Sequence, residues 1–331
     1  MVFWGNRLSS TFQDSVSLDH VTPFAVETLD VRGKTVRLGD TVNSILGRHN
    51  YPEPVSVLLG EAVVLTVLLG ASLKFEGRFQ LQARSDGPVD LLVVDFDAPD
   101  RVRGYARFDA ERLAIAQSIN APLLGRGLLG LTVDQGQDMS QYQGIVALDG
   151  QGLEAAAQQY FVQSEQIPTR VRLAVGSLTR PDITGSTHSC WRAGGIIVQF
   201  LPSANRRQTI RDLDPGDAPQ GVVLTEVDED EAWREAQVLV STVADDELLD
   251  PEISDIDLLY RLFHERGVRV FEPQSIIEKC RCSQERITGM LNSFSIQERS
   301  SMVGDDGVIG VTCEFCSMHY KVNPLDVNLP P

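Results

Sequence analysis

The chain has 331 residues, 42% of them hydrophobic and 23% charged, with a formal net charge of −17. These proportions describe globular material with room for more than one domain and exclude a wholly disordered chain. They also argue against free nucleic acid as a partner, because that binding needs Lys and Arg to displace phosphate counterions, and no Lys/Arg run occurs.

The opening residues, Met1 to Ser10, lack a basic stretch followed by a useful apolar one, so no secretory signal is expected. Five cysteines, four of them in two close pairs, suit a reducing compartment with metal or redox thiols better than a secreted disulfide framework. The expected location is the cytoplasm.

Val31 to Leu38 has a strand-like mix broken by Gly33, and Asp40 is placed to cap a helix through Val42, Ile45 and Leu46. The turn Asn50-Tyr-Pro-Glu-Pro leads into Val55–Leu73, an apolar run with one charge, Glu61. An ionised side chain well inside a membrane span is costly, so this reads as a buried core helix and no membrane partner is expected. Phe75 to Phe96 reads as a hairpin: Phe79, Leu81 and Ala83 alternate with polar residues, Ser85-Asp-Gly-Pro88 turns, and Leu91–Phe96 returns. Further strands are expected at Gly144–Leu148, Val171–Val175 and Ile196–Leu201, with a helix over Leu153–Val162. Strands and helices without regular βαβ alternation indicate an α+β fold, an α/β core domain over residues 1–202.

Composition then changes. Between Asp212 and Asp257 there are sixteen acidic residues and one basic, Arg234, a net of −15. Asp212 to Pro219 is loop-like, whereas Glu229 to about Phe263 is expected to be helical, with Trp233, Ala236, Val240 and Val243 on one stripe. Beyond Pro251, a second amphipathic stretch is expected on Ile256, Leu259, Tyr260 and Phe263. Like-charge repulsion lowers the stability of a compact state, so residues 203–266 read either as a solvated acidic linker or as a metastable, largely helical one folded only while docked on its neighbours.

The last segment, residues 267–331, carries the chemistry. Cys280-Arg-Cys282 is followed after thirty residues by Cys313-Glu-Phe-Cys316. Two such pairs supply four sulfurs in a tetrahedron, the usual structural zinc arrangement. In an extended segment residues i and i+2 point the same way, so Cys280 and Cys282 both face one metal, while the CxxC turns between strands at Val308–Thr312 and Tyr320–Val322. His319 is a possible substitute ligand, but four cysteines already complete the shell. Cys190, in an expected loop, is read as incidental; pairing it with His188 as a nucleophile lacks an orienting third group.

A unit of about 60 residues has little core, and structural zinc in small modules is worth roughly 10–16 kcal/mol of apparent binding energy. Oxidants attack thiolates, so this site can convert peroxide into unfolding. In a fully extended CxC the Cα atoms lie about 6.5–7 Å apart, at or beyond the limit for a disulfide. A Cys280–Cys282 bond and the zinc-bound fold are therefore expected to exclude each other.

With its CxC, thirty-residue gap and CxxC, the sequence resembles the redox-regulated heat-shock chaperones, the thirty-three-kilodalton chaperonin family. The segments His49-Asn-Tyr-Pro-Glu-Pro-Val, Leu73-Lys-Phe-Glu-Gly, Ser85-Asp-Gly-Pro-Val-Asp-Leu, Tyr142-Gln-Gly-Ile-Val-Ala-Leu and Tyr160-Phe-Val-Gln-Ser-Glu-Gln-Ile-Pro-Thr also resemble family segments, as do Tyr260-Arg-Leu-Phe-His-Glu and Val270-Phe-Glu-Pro-Gln. The resemblance implies an ATP-independent holdase for unfolding client proteins. It implies zinc on Cys280, Cys282, Cys313 and Cys316 in the inactive reduced state. On oxidation it implies disulfides Cys280–Cys282 and Cys313–Cys316, zinc release, linker unfolding and dimerisation. Two departures stand out: Ser203 to about Asp230 is longer and more acidic than the family leads one to expect, and Ser317 follows the CxxC where Gly is frequent.

Two other classes compete. A constitutive zinc-ribbon adaptor would need zinc for binding protein or nucleic acid, whereas a switch is activated by its loss. An enzyme is disfavoured because four thiolates leave zinc no vacant position for substrate.

Overall fold

The computed structural model describes residues 18–73, 77–135, 142–181, 187–201 and 231–327. Chain order begins with β1 (His20–Val26) and β2 (Val31–Leu38), an antiparallel pair, then α1 (Asp40–Gly47) and α2 (Glu53–Gly70). Asp40 lies inside the first turn of α1 rather than capping it. The Asp19 carboxylate takes that role, accepting from the N–H groups of Gly39 (2.9 Å), Asp40 (3.1 Å) and Thr41 (3.0 Å), so that helix-end donors are satisfied by a residue from outside the helix.

The hairpin read from the alternating pattern is β3 (Arg78–Ser85) and β4 (Val89–Asp97), its expected start at Phe75 lying outside the described residues. Next come β5 (Arg101–Phe108), α3 (Ala110–Ser118) and β6 (Arg126–Asp134), which the sequence patterns do not announce, then β7 (Tyr142–Asp149). α4 (Leu153–Tyr160) runs on as a π-helical turn, Phe161–Glu165, into the long antiparallel pair β8 (Thr169–Pro181) and β9 (Thr187–Phe200). Cys190 therefore lies in a strand, opposite Leu178, and not in a loop; its Sγ sits 3.6 Å from the Leu178 carbonyl. The side chain of His188 lies outside the described residues.

Among the described residues, one sheet has the order β8-β9-β2-β1 and the other β5-β4-β3-β6-β7. α2 runs between them and packs Leu59, Val63 and Val67 with Val36, Leu38 and Ile197 of the first sheet and Leu81, Val94 and Val102 of the second. Close approach requires glycine at two points of α2: a Cβ on Gly60 would lie 2.8 Å from Val175, and one on Gly70 2.6 Å from Phe96. The helix is long and apolar enough to cross a membrane, but 72% of it is buried inside the protein. Its one charge within the apolar run, Glu61, is pushed by burial to a pKa of about 7, with Glu154 and Asp245 adding to the rise against Arg172.

The far face of the first sheet is covered by α5 (Glu231–Ser241), α6 (Asp245–Leu249) and α7 (Asp255–Phe263). These helices and the segment joining them bury Trp233, Ala236, Val240, Val243, Leu248, Leu258, Leu259, Leu262 and Phe263 against Phe24, Val26, Leu29, Val31, Ala174, Ile196, Val198 and Phe200. The stripe expected on α5 is the buried one. On α7 the expectation fails in part: Ile256 and Tyr260 are 63% and 64% exposed, and Leu258 and Leu262 take their places. The capping box at Ser254 and Asp257 sets the helix start, and Asp255, one turn before Leu258 and Leu259, lies on the same inward face. The acidic stretch from Ser203 to Asp230 lies outside the described residues.

The chain then threads along both sheets. β10 (Arg269–Val270) and β11 (Gln274–Ser275) pair with β1, Ile276 enters the central core, and β12 (Ile277–Glu278) pairs in parallel with β5. The C-terminal unit beyond β12 is small: α8 (Gln284–Leu291), α9 (Ile296–Ser301) and the hairpin β13 (Ile309–Thr312) with β14 (His319–Val322). Only Leu291, Ile309, Val322 and Val327 form a buried apolar cluster there among the described residues.

Candidate metal centre

Cys280 and Cys282 leave β12 in an extended stretch that ends at Ser283, the N-cap of α8, whose Oγ accepts from the Arg286 N–H. Cys313 and Cys316 occupy the turn between β13 and β14, closed by Ser317 N–H to Cys313 O (2.8 Å) and Cys313 N–H to Met318 O (2.9 Å). Ser317 adopts a left-handed φ of 58°, the conformation that glycine takes without steric cost, which explains why Ser is an unfavourable choice at this point.

The four sulfurs lie within 4.8 Å of one another. A tetrahedral zinc with Zn–S bonds of about 2.3 Å needs sulfurs about 3.8 Å apart. Cys280 Sγ is 3.7 Å from Cys313 Sγ, and Cys282 Sγ is 3.3 Å from Cys316 Sγ. Thus the donor set fits a single thiophilic ion that both motifs share. Four adjacent thiols cannot all ionise without a cation. Burial pushes Cys313 and Cys316 up, and the neighbouring Cys280 adds to the rise at Cys313. Cys280 is instead drawn down, to about 7: burial opposes this, but the Cys282 backbone N–H and the Arg103 guanidinium favour its thiolate. Tyr320 donates its hydroxyl to Cys282 Sγ at 3.0 Å, which raises that phenol to about 12. His319 faces elsewhere, its Nδ1 3.0 Å from Thr312 Oγ1.

The core touches this centre through residues that the cysteine spacing does not single out. From β5, Arg103 places Nη1 3.6 Å from Cys280 Sγ and stacks its guanidinium 3.9 Å from the centre of the Phe315 ring. Phe315 also meets Tyr105, with ring centroids 6.2 Å apart. Asp95, 1% exposed, accepts from Arg103 Nε (2.9 Å), Gln80 Nε2 (2.7 Å) and Arg281 Nη2 (3.1 Å). Burial would raise its carboxyl, but the Arg103 charge and these hydrogen bonds hold it below the usual carboxylate range. Arg48 grips Glu278 through both oxygens at 2.6 Å, the planar fork geometry that makes such pairs strong. One signal is available in the sequence: the alternation Arg101-Val-Arg103-Gly-Tyr105 puts three polar or aromatic residues on one strand face.

A second charged cluster fastens α6 and α7. Asp255, buried, accepts from His20 Nε2 (2.8 Å), Thr22 Oγ1 (2.7 Å) and Arg37 Nε (2.9 Å). The Arg37 fork donates onward to the carbonyls of Glu247 (2.9 Å) and Asp250 (3.0 Å), capping the end of α6. Burial works against the Asp255 carboxylate, yet these donors and the His20 and Arg37 charges hold its pKa below the usual range.

Comparison with known proteins adds a consistent set of relatives. A family model described as Hsp33 protein matches residues 19–323. A 33 kDa chaperonin of Caulobacter vibrioides is 46% identical over 311 residues, covering 92% of this chain and 95% of its own. Another 33 kDa chaperonin, from Salmonella typhimurium, is 32% identical over 93% of this chain and 94% of its own. The crystal structure of the 33 kDa chaperonin from Thermotoga maritima superposes with a TM-score of 0.70 at 22% identity, covering 94% of this chain and 97% of that one.

Proposed function

The chain belongs to the Hsp33 family, and from that premise we propose that this chaperone is a redox-regulated, ATP-independent holdase that binds unfolding client proteins under oxidative and heat stress. In its reduced, inactive form Cys280, Cys282, Cys313 and Cys316 hold one zinc ion. When bound, zinc cross-links four thiolates and supplies stability that four buried apolar side chains do not. Units bounded near residues 202 and 266 act as core, linker and switch.

The observation that carries this reading is the continuity of residues 231–282. The helices that cover the apolar face of the first sheet run directly into β10–β12, and these into the CxC. Oxidation pairs Cys280 with Cys282 and Cys313 with Cys316. Each bond forms as two thiolates give up two electrons to hydrogen peroxide, which takes up two protons from solvent and leaves as two water molecules. A disulfide holds its sulfurs about 2.05 Å apart, far closer than two sulfurs sharing one metal, so pairing within each motif requires the sulfurs to leave the metal geometry. Cys280 then no longer meets Arg103, β12 loses its anchor, and α5–α7 are free to lift from the sheet. The uncovered face carries Phe24, Val26, Val31, Ile196, Val198 and Phe200, a surface suited to apolar segments of clients, and the activated protein associates as a dimer.

Light scattering by a heat-unfolded client tests this. Reduced zinc-loaded protein should leave aggregation nearly unchanged, and peroxide-treated protein at mildly raised temperature should suppress it. Equal suppression by both forms would remove the switch and favour a constitutive zinc-ribbon adaptor.

A further inference from the structure

Where the metal-binding unit meets the edge of the second sheet there is a cleft of about 620 Å³. One wall comes from the second sheet and contributes Arg78, Asp97, Arg101 and, across from them, Asp134. The other comes from the CxC strand and the first turn of α8, with Lys279, Arg281 and Arg286. Five cations therefore line the cleft with two carboxylates, and a third, Asp100, lies 3.9 Å from Arg101 Nε, in a chain whose net charge is −17.

The local carboxylates are shared. Asp97 lies 3.5 Å from Arg78 Nε and 3.1 Å from Arg281 Nε, in neither case with hydrogen-bond alignment, while Asp95 serves both Arg103 and Arg281. The Nε atoms of Arg78, Arg101 and Arg281 are buried without a hydrogen-bond acceptor. Leaving a buried charged donor unsatisfied costs more than a neutral one, and like-charge crowding adds to that cost. Part of the positive charge near Cys280 balances the thiolates, and Arg103 points there. Arg78, Arg101 and Arg286 line the cleft instead, so thiolate balance does not account for them.

We propose that this cleft is a binding site for a phosphate-bearing small molecule, held between the core and the metal-binding unit by Arg78, Arg101, Arg281, Lys279 and Arg286. Arginine forks match phosphate oxygens in a planar two-point geometry, and the N-terminal turn of α8 adds N–H dipoles of the right sign. The volume accommodates a phosphate group with a sugar-sized body. Because the two walls belong to different units, the ligand binds only while they are docked and raises the resistance of that docking to unfolding.

The test uses the full-length, reduced, zinc-loaded chain at constant ionic strength, titrated calorimetrically with inorganic phosphate and, separately, with ribose 5-phosphate. Saturable binding of one ligand per chain is expected, and a tenfold preference for the ester would identify a phosphate ester rather than free phosphate as the ligand. Arg78→Gln with Arg101→Gln should weaken binding at least tenfold. So should Arg286→Gln combined with Lys279→Gln, two exposed positions whose replacement leaves the buried framework intact. Arg107→Gln, on an exposed pair with Asp90, should leave affinity unchanged. Absence of saturable heat with both probes, or unchanged affinity in both cleft variants, would overturn the site whatever the outcome of the aggregation assay.

Discussion

The linker-covered face and the metal-binding unit solve the same problem with opposite means. Against the first sheet, seventeen buried apolar side chains, nine of them from α5–α7 or the segment joining them, form a cluster of their own. The C-terminal unit has four. Burying a large apolar side chain contributes on the order of 1.5–3 kcal/mol, so the linker face is a true core, whereas the C-terminal unit depends on its thiols. The acidic linker is also less self-repelling than its composition suggests. Among the described residues Glu235 pairs with Arg266, Glu247 with Arg261, Asp245 with Arg172 and Asp255 with Arg37, and each arginine lies outside the acidic stretch. Charge counted along a segment misses partners supplied by the fold. The proposed release of the linker therefore depends on its attachment through β10–β12 rather than on repulsion alone.

The sharpest way to break this contrast is to remove the metal. A chelator under reducing conditions should abolish hydrogen-exchange protection over residues 284–327, withdrawing on the order of 10 kcal/mol or more. Protection of α2 and β3–β6 should persist. Uniform loss across the chain would mean that the two regions are one cooperative unit.

A smaller effect is expected from Asp255→Ala, which leaves Arg37 buried and without its carboxylate. Removing one partner of a buried pair costs about 3–5 kcal/mol, here borne by the docking of α6 and α7. Urea titration should show the loss, and the reduced zinc-loaded variant should bind an apolar dye or suppress client aggregation without oxidant. Wild-type behaviour would show that apolar packing alone holds the linker down.

Smaller again is the effect of Glu61, which sits where α2 nears Arg172 and Asp245. With its pKa raised from 4.5 to about 7, the folded state holds a proton that the unfolded state has released. Stability from this group is thus full below about pH 4.5 and falls as pH rises through 7, by at most about 3 kcal/mol. Glu61→Gln should flatten that slope and stabilise the protein at pH 8, as read by thermal unfolding at several pH values. An unchanged slope would locate the pH dependence elsewhere.

Elements whose cause is local are legible in the sequence. The 3.6-residue stripe of α5, the two-residue alternation of β3 and the long apolar run of α2, interrupted by one charge, each declare themselves over a short window. The run from β5 to β6 is hidden because Arg101, Arg103, Arg107 and Arg126 disguise strands whose buried sides hold Val102, Ala106, Leu129 and Leu131. The inward face of α7 departs from expectation because Leu258, Leu259, Leu262 and Phe263 share it with Asp255, whose carboxylate is held by His20, Thr22 and Arg37 of the first sheet.

The identity of the candidate metal ligands is a matter of sequence alone, since ligand chemistry is a property of residue type and i,i+2 and i,i+3 spacings restrict geometry within a few bonds. The surroundings of the centre are decided only in three dimensions. Arg103 reaches Cys280 across 177 residues of chain, and Arg37 reaches Asp255 across 218. No local pattern encodes such pairs, because each side chain alone is an ordinary surface charge. Only when α6 and α7 cover the first sheet and the CxC strand docks beside β5 are these groups taken out of water, and only then must every buried charge find a partner.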